Sequence, residues 1–144
     1  MNEIYHHALK LLRRRDYTTR QLLEKLGARF GDIPEELSQQ LLSRRYLDDR
    51  RYADNFVARH PDSHPDWVRQ ALVEAGVERQ TADLAVSNCR WPSLRDVLKA
   101  KMNVWHLHPP LERRDVARLF RLLSRLGYPE EDIREELEQL HEQQ

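Results

Sequence analysis

The chain has 144 residues, of which 40% are apolar and 33% are charged, and its formal net charge is zero. This balance is typical of a soluble globular protein and excludes a globally basic nucleic-acid binder. Only four glycines occur, with no Asn-Gly or Asp-Gly pair, which disfavours hairpins and predicts an all-α fold. The single cysteine, Cys89, and the lack of a long apolar run at the N-terminus predict a cytoplasmic protein without a membrane segment.

Three helices are predicted in the first third of the chain, because apolar residues recur there at helical spacing. Thr18 or Thr19 can cap the second helix, and Pro34 can open the third at its first turn. The inward-facing stripes are Ile4, Ala8, Leu11 and Leu12, then Leu22, Leu23 and Leu26, then Leu37, Leu41 and Leu42.

The next stretch, YLDDRRYADNFV, begins a fourth helix. Asp48 is a good N-cap, and Asp49 lies in the first turn, where the helix dipole favours an anion. Tyr52 and Phe56 lie one turn apart on one face. Nothing nearby completes a metal site or an acid/base pair, so we predict that the two aspartates start the helix.

Five more helices are predicted in the second half of the chain, which makes about nine in all. Pro65 can open one and Gly76 can close it as a left-handed cap. Another helix follows, and its apolar residues Ala82, Ala85 and Val86 are predicted to face inward. Pro92 is predicted to start the next, Gly127 to close the eighth, and Pro129 to open the last.

The pattern of stripe, glycine and following helix repeats along the chain. A shift of 51 positions brings Leu72 and Gly76 onto Leu123 and Gly127. We therefore predict three tandem three-helix repeats, similar to helix-turn-helix units, in an elongated, curved array; the predicted repeats are 1–46, 47–90 and 91–144.

Two functions suit such units. One is a helix-turn-helix DNA-binding transcription regulator, and the other is a scaffold of stacked repeats that presents a long binding face. The last predicted helix, PEEDIREELEQLHEQQ, is acidic and would repel phosphate, which favours the scaffold.

Basic residues supply the candidate contacts for a partner or for DNA. Residues 90–128 carry nine Lys/Arg against three Asp/Glu, whereas residues 129–144 carry one against seven. The acidic helix either neutralises the basic stretch or leaves it exposed for DNA or an acidic partner. If the arginines near three helix ends share one face, they form an anion-binding patch. The candidates are Arg13, Arg14, Arg15, Arg44, Arg45, Arg50, Arg51, Lys99, Lys101, Arg114, Arg118, Arg121 and Arg125.

No enzymatic chemistry is predicted. The sequence contains no glycine-rich phosphate loop, no Gly-x-Ser-x-Gly and no Glu-x-x-His arrangement. His60 and His64 are four apart, but Pro61 interrupts the helix that would align them. We therefore predict neither a catalytic residue nor a cofactor nor a metal site.

Four segments in order, ALKLLRRRDYTTRQLLEKL, YLDDRRYADNFV, VRQALVEAGV and RLFRLLSRLGYPEEDI, resemble the RecX family of bacterial recombination regulators. The resemblance implies a cytoplasmic, non-enzymatic protein that binds RecA and the RecA filament on single-stranded DNA. It also implies restraint of filament growth, ATP hydrolysis and strand exchange, with weak direct DNA binding left open. The chain departs from the family pattern at Arg45, where a glycine is usual.

Overall fold

The computed structural model describes residues 2–142, and in this range the chain forms nine α-helices and no β-strand. The all-α prediction is thereby confirmed. The helices are α1 (Asn2–Arg14), α2 (Thr19–Phe30), α3 (Glu35–Ser43), α4 (Asp49–Arg59), α5 (Pro65–Ala75), α6 (Arg79–Ser87), α7 (Leu94–Val104), α8 (Arg113–Arg125) and α9 (Glu130–Glu142). Within the described range, none of these helices has the length and apolarity needed to cross a bilayer.

Polar side chains cap the first turns of several helices. The Thr18 hydroxyl accepts a hydrogen bond from the Gln21 amide, and the Gln21 side chain accepts one from the Thr18 amide, so Thr18 and not Thr19 caps α2. The predicted start of α7 at Pro92 is wrong by two residues, because the Ser93 hydroxyl accepts from the Asp96 amide and caps the helix there.

Among the described residues, five helices are followed by a residue with positive φ, as a left-handed C-cap requires; these residues are Gly31, Arg45, Gly76, His106 and Gly127. Gly76 and Gly127 have φ of 111° and 96°, which confirms the predicted glycine cap of α5. Arg45 has φ of 61° after α3, although its Cβ makes this conformation costly. The amides of Arg45 and Tyr46 donate to the carbonyls of Leu42 and Leu41, which is the bonding pattern of a Schellman motif.

The described residues divide into two compact units, each with its own core. Unit one contains residues 2–59 and 69–88, and unit two contains residues 60–68 and 89–142. One core of unit one joins α1, α2 and α3 through Ala8, Leu11, Tyr17, Leu22, Leu26, Leu37, Leu41 and Leu47. The predicted inward position of Leu42 is wrong, since its side chain is 44% exposed. The boundaries of the three repeats stay a prediction.

The core of unit two is formed by α7, α8 and α9. Its buried members are Val97, Leu98, Met102, Leu119, Leu123, Tyr128, Ile133, Leu137 and Leu140. The His64 amide donates to the Leu126 carbonyl at 2.8 Å, and the Tyr128 hydroxyl donates to the Asp62 carbonyl at 3.2 Å. Burial raises the pKa of Tyr128, and nearby Asp62 adds to the effect, so this hydroxyl keeps its proton.

Candidate binding site

The two aspartates of YLDDRRYADNFV have structural partners. The Asp48 carboxylate accepts from the Arg51 amide at 3.0 Å, which confirms that Asp48 caps α4. The Asp49 carboxylate accepts from the Thr19 amide at 2.8 Å and from the Thr19 hydroxyl at 3.0 Å. One aspartate therefore holds its own helix, and the other ties that helix to the start of α2.

Three of the candidate arginines meet at one concavity of unit one, which we call the basic pocket. It has a volume of about 290 Å³ and is lined by Leu9, Leu12, Arg13, Arg45, Tyr46 and Arg51. These residues come from α1, from the turn after α3 and from the first turn of α4. Each of the three arginine runs therefore contributes one side chain to the basic pocket.

The basic pocket keeps its positive charge because its arginines meet neutral groups. The Arg51 guanidinium donates to the carbonyls of Arg45 and Tyr46, at 3.0 and 3.3 Å. Among the described residues, no carboxylate forms an ion pair with Arg13, Arg45 or Arg51. Beside them the Tyr46 ring is 46% exposed. Such a pocket can hold an anion, and the ring can stack on a base.

Two other candidate arginines of unit one are held by aromatic rings. The Arg15 guanidinium lies 4.5 Å from the centre of the Tyr17 ring. Arg44 lies over Tyr5 and donates to its hydroxyl at 2.7 Å. Neither lines the basic pocket, so their first role is to pack against their own unit.

The remaining candidates of unit one are Arg14 and Arg50. Arg50 pairs with Asp54 one turn along α4, at 3.3 Å. Arg14 is exposed outside the basic pocket, and it contributes to a positive potential around His7.

Partial burial lowers the pKa of His7, and nearby cations lower it further. These cations are Arg29, Lys10, Arg14 and Lys25. His7 thus reports a local excess of positive charge on α1 and α2.

Unit two carries the predicted row of arginines along α8. Arg114 pairs with Glu112 at 3.1 Å, and Arg118 lies 3.7 Å from the centre of the Trp105 ring. Arg121 and Arg125 are exposed and have no ion pair among the described residues.

The acidic helix α9 leaves this row largely unneutralised. Its ion pairs within residues 2–142 go to Arg95, through Glu136 at 3.1 Å, and to Arg134, through Glu130 at 3.5 Å. Of the two basic candidates on α7, Lys101 lies 3.9 Å from Asp62, and Lys99 is exposed. Of the row, Arg121 and Arg125 therefore present their charge to the solvent on the exposed side of α8.

Sequence reasoning missed an apolar groove between α8 and α9, which we call the α8–α9 groove. Its volume is about 660 Å³, and its lining residues are Leu111, Arg113, Val116, Ala117, Phe120, Arg121, Arg134, Leu137, Glu138 and His141. The signal was present, because Val116 and Phe120 are four residues apart and form a second apolar stripe beside the buried leucines.

The described residues contain no group of three His, Cys, Asp or Glu side chains placed to hold a metal ion.

Known proteins are similar to this chain over most of its length. A protein named regulatory protein RecX from Thermus thermophilus is 32% identical over 130 residues, which cover 89% of this chain and 85% of the relative. Another protein with that name, from Acidithiobacillus ferrooxidans, is 35% identical over 135 residues, covering 90% and 85%. No protein-family model matches the chain.

A solved structure shares the fold. The crystal structure of RecX from Lactobacillus salivarius aligns with a TM-score of 0.62 at 19% identity, covering 95% of this chain and 96% of that one. The two chains therefore share one fold over nearly their whole length. Together with the sequence similarity over nine-tenths of its length, this shows that the chain belongs to the RecX family of regulatory proteins.

Proposed function

We propose that this protein binds RecA and the RecA filament on single-stranded DNA, and that it mostly inhibits filament growth, ATP hydrolysis and strand exchange. The observation that carries the proposal is the similarity to regulatory RecX proteins, which extends over about nine-tenths of the chain and of its relatives. A filament on DNA lies in the cytoplasm, and we place the protein there as part of the same proposal.

The basic pocket supplies the contact that we assign to this function. Its three arginines can pair with phosphate oxygens or with carboxylates, and the exposed Tyr46 ring gives a base a surface to stack on. A filament on single-stranded DNA offers both phosphates and unpaired bases. The exposed arginines on the outer face of α8 give unit two a second region of positive charge for an anionic partner.

The proposed function is tested with purified RecA on circular single-stranded DNA. Stoichiometric addition of this protein should lower the rates of ATP hydrolysis and strand exchange, and the protein should sediment with the filament. Unchanged rates together with no co-sedimentation would contradict the proposal. Tight, sequence-specific binding to duplex DNA at physiological salt would instead favour the transcription regulator.

A pair of neighbouring arginines tests the basic pocket. We expect Arg13→Gln to weaken binding to a fluorescent oligo-dT strand about threefold, since an exposed charge contact contributes about 1 kcal/mol or less. The slope of log affinity against log salt should fall by about 0.7 for the phosphate contact that is lost. Arg14→Gln is the control, because it removes the same charge at a position outside the pocket. If both variants lose the same amount of binding affinity, the basic pocket has no special role in DNA binding.

A further inference from the structure

The α8–α9 groove has the chemistry of a docking site for apolar side chains. Its floor consists of Leu111, Val116, Ala117, Phe120 and Leu137. Phe120 and Val116 are only partly buried against the core of unit two, so their outer surfaces remain exposed to solvent in the groove. Burying such apolar surface against a partner removes it from water, which favours binding.

The rim of the groove is mainly basic. Arg113 and Arg121 lie on α8, and neither has an ion pair among the described residues. Arg134 faces them from α9; it pairs with Glu130 at 3.5 Å and lies 5.9 Å from the centre of the Phe120 ring. Within the lining, these three guanidinium groups face a single carboxylate, that of Glu138.

We infer that the α8–α9 groove binds an acidic protein segment that inserts bulky apolar side chains between α8 and α9. The segment's carboxylates pair with Arg113 and Arg121, whose charges are otherwise unmatched. The inference rests on the proposed function for the source of the segment, which is RecA in the filament. Its basis is charge complementarity around an apolar floor.

Two other occupants suit the groove less well. Nucleic acid would meet the arginines, but the floor is mostly aliphatic and offers a single aromatic ring, whereas strand binding uses stacking platforms. A second copy of this chain, paired groove to groove across a two-fold axis, would bring the basic rims of both copies together. Both remain outcomes that the experiment can distinguish.

The rim is tested first by charge reversal. We expect Arg113→Glu combined with Arg121→Glu to weaken binding to the RecA filament at least tenfold, measured by co-sedimentation. Arg90→Glu is the control, since Arg90 is an exposed arginine outside α8 that does not line the groove. It should weaken binding less than threefold. An equal loss in the control and in Arg121→Glu alone would mean a long-range charge effect and would overturn the inference.

The occupant is identified by photo-crosslinking within the bound filament. Glu138 is replaced by p-benzoylphenylalanine at the rim, and the control position is Val104, which is 66% exposed on α7 and outside the groove. We expect position 138, and not position 104, to crosslink to a RecA peptide that contains carboxylates and bulky apolar side chains.

Each other result has a definite meaning. A crosslink from position 138 to DNA, to a second copy of this chain or to a segment without carboxylates would overturn the inference. So would the absence of any crosslink while the modified chain still sediments with the filament. If the unmodified chain fails to bind the filament, the proposed function itself fails and the inference with it, so the two failures are distinguishable.

Discussion

The end of α3 and the end of α8 have the same backbone bonding pattern but different residues at the left-handed position. After α8 the amides of Gly127 and Tyr128 donate to Ser124 and Leu123, and after α3 the amides of Arg45 and Tyr46 donate to Leu42 and Leu41. A Cβ at Gly127 would lie 2.3 Å from the Trp67 Cβ, so no side chain fits there. At Arg45 the side chain instead reaches the basic pocket.

This difference shows two separate factors that decide which residue type occupies the left-handed position after a helix. At Gly127 both the positive φ and the close approach of Trp67 require glycine. At Arg45 only φ favours glycine, and the space outside admits a long side chain. A non-glycine residue in this conformation costs about 1 kcal/mol or more, and such strain is common at binding sites. The structure thus places the Arg45 side chain at the basic pocket, where a glycine would supply no guanidinium.

The largest expected effect in this comparison is that of Gly127→Ala. The new methyl group would overlap Trp67 and adopt a positive φ, and we expect the free energy of unfolding to fall by about 3 kcal/mol. Chemical denaturation measures the change. The control is Gly27→Ala inside α2, where a Cβ meets nothing within 4 Å. That variant should raise stability by about 0.5 to 1 kcal/mol, because alanine is the better helix former. Similar losses in both variants would refute the steric explanation.

An intermediate effect, with opposite signs in two measurements, is expected for Arg45→Gly. Glycine relieves the unfavourable φ, so the free energy of unfolding should rise by about 0.5 to 1 kcal/mol. The same change removes one of the three arginines of the basic pocket, so binding to a fluorescent oligo-dT strand should weaken about threefold. If stability and binding rise together, Arg45 has no role in the pocket.

The smallest expected effect is that of His7→Gln on the pH dependence of stability. The folded-state pKa of His7 is lowered, so the folded protein favours the neutral ring relative to the unfolded chain. The resulting stability is present above the ordinary value of 6.5 and is lost as pH falls through 6.5 towards the lowered folded value. His7→Gln should therefore reduce the loss of stability on acidification, followed by thermal unfolding between pH 7 and pH 5. An unchanged pH dependence would contradict this account.

Much of the fold follows from local rules that the sequence displays. The N-cap at Asp48 and the left-handed cap at Gly76 were predicted from residue type and position, and the structure confirms both. The predicted start of α7 at Pro92 rests on the N1 preference of proline alone, whereas the hydroxyl of Ser93 caps the helix. Leu42 was placed inward because its spacing fits a helical stripe, but the periodicity does not fix how wide that stripe is.

The candidate site was less predictable, because it depends on contacts between residues far apart in the chain. Nothing local to Asp49 indicates that its carboxylate binds Thr19, thirty residues earlier. The gathering of Arg13 with Arg45 and Arg51 likewise depends on how α1 meets the turn after α3. The charge pattern identified arginines as candidates, and only the three-dimensional arrangement separates those that line a pocket from those that stack on tyrosines.

The long-range hydrogen bond of Thr18 bears on when unit one can fold during synthesis. Its buried hydroxyl donates to the Ala75 carbonyl at 2.6 Å, although 57 residues separate the two. A nascent chain of about sixty residues contains α1 to α4 but has neither this acceptor nor α6, against which α4 packs. Domains generally fold as units during synthesis, so unit one completes its folding only after residue 88 has left the exit tunnel. Until that moment the face of α4 that packs against α6 stays exposed on the nascent chain.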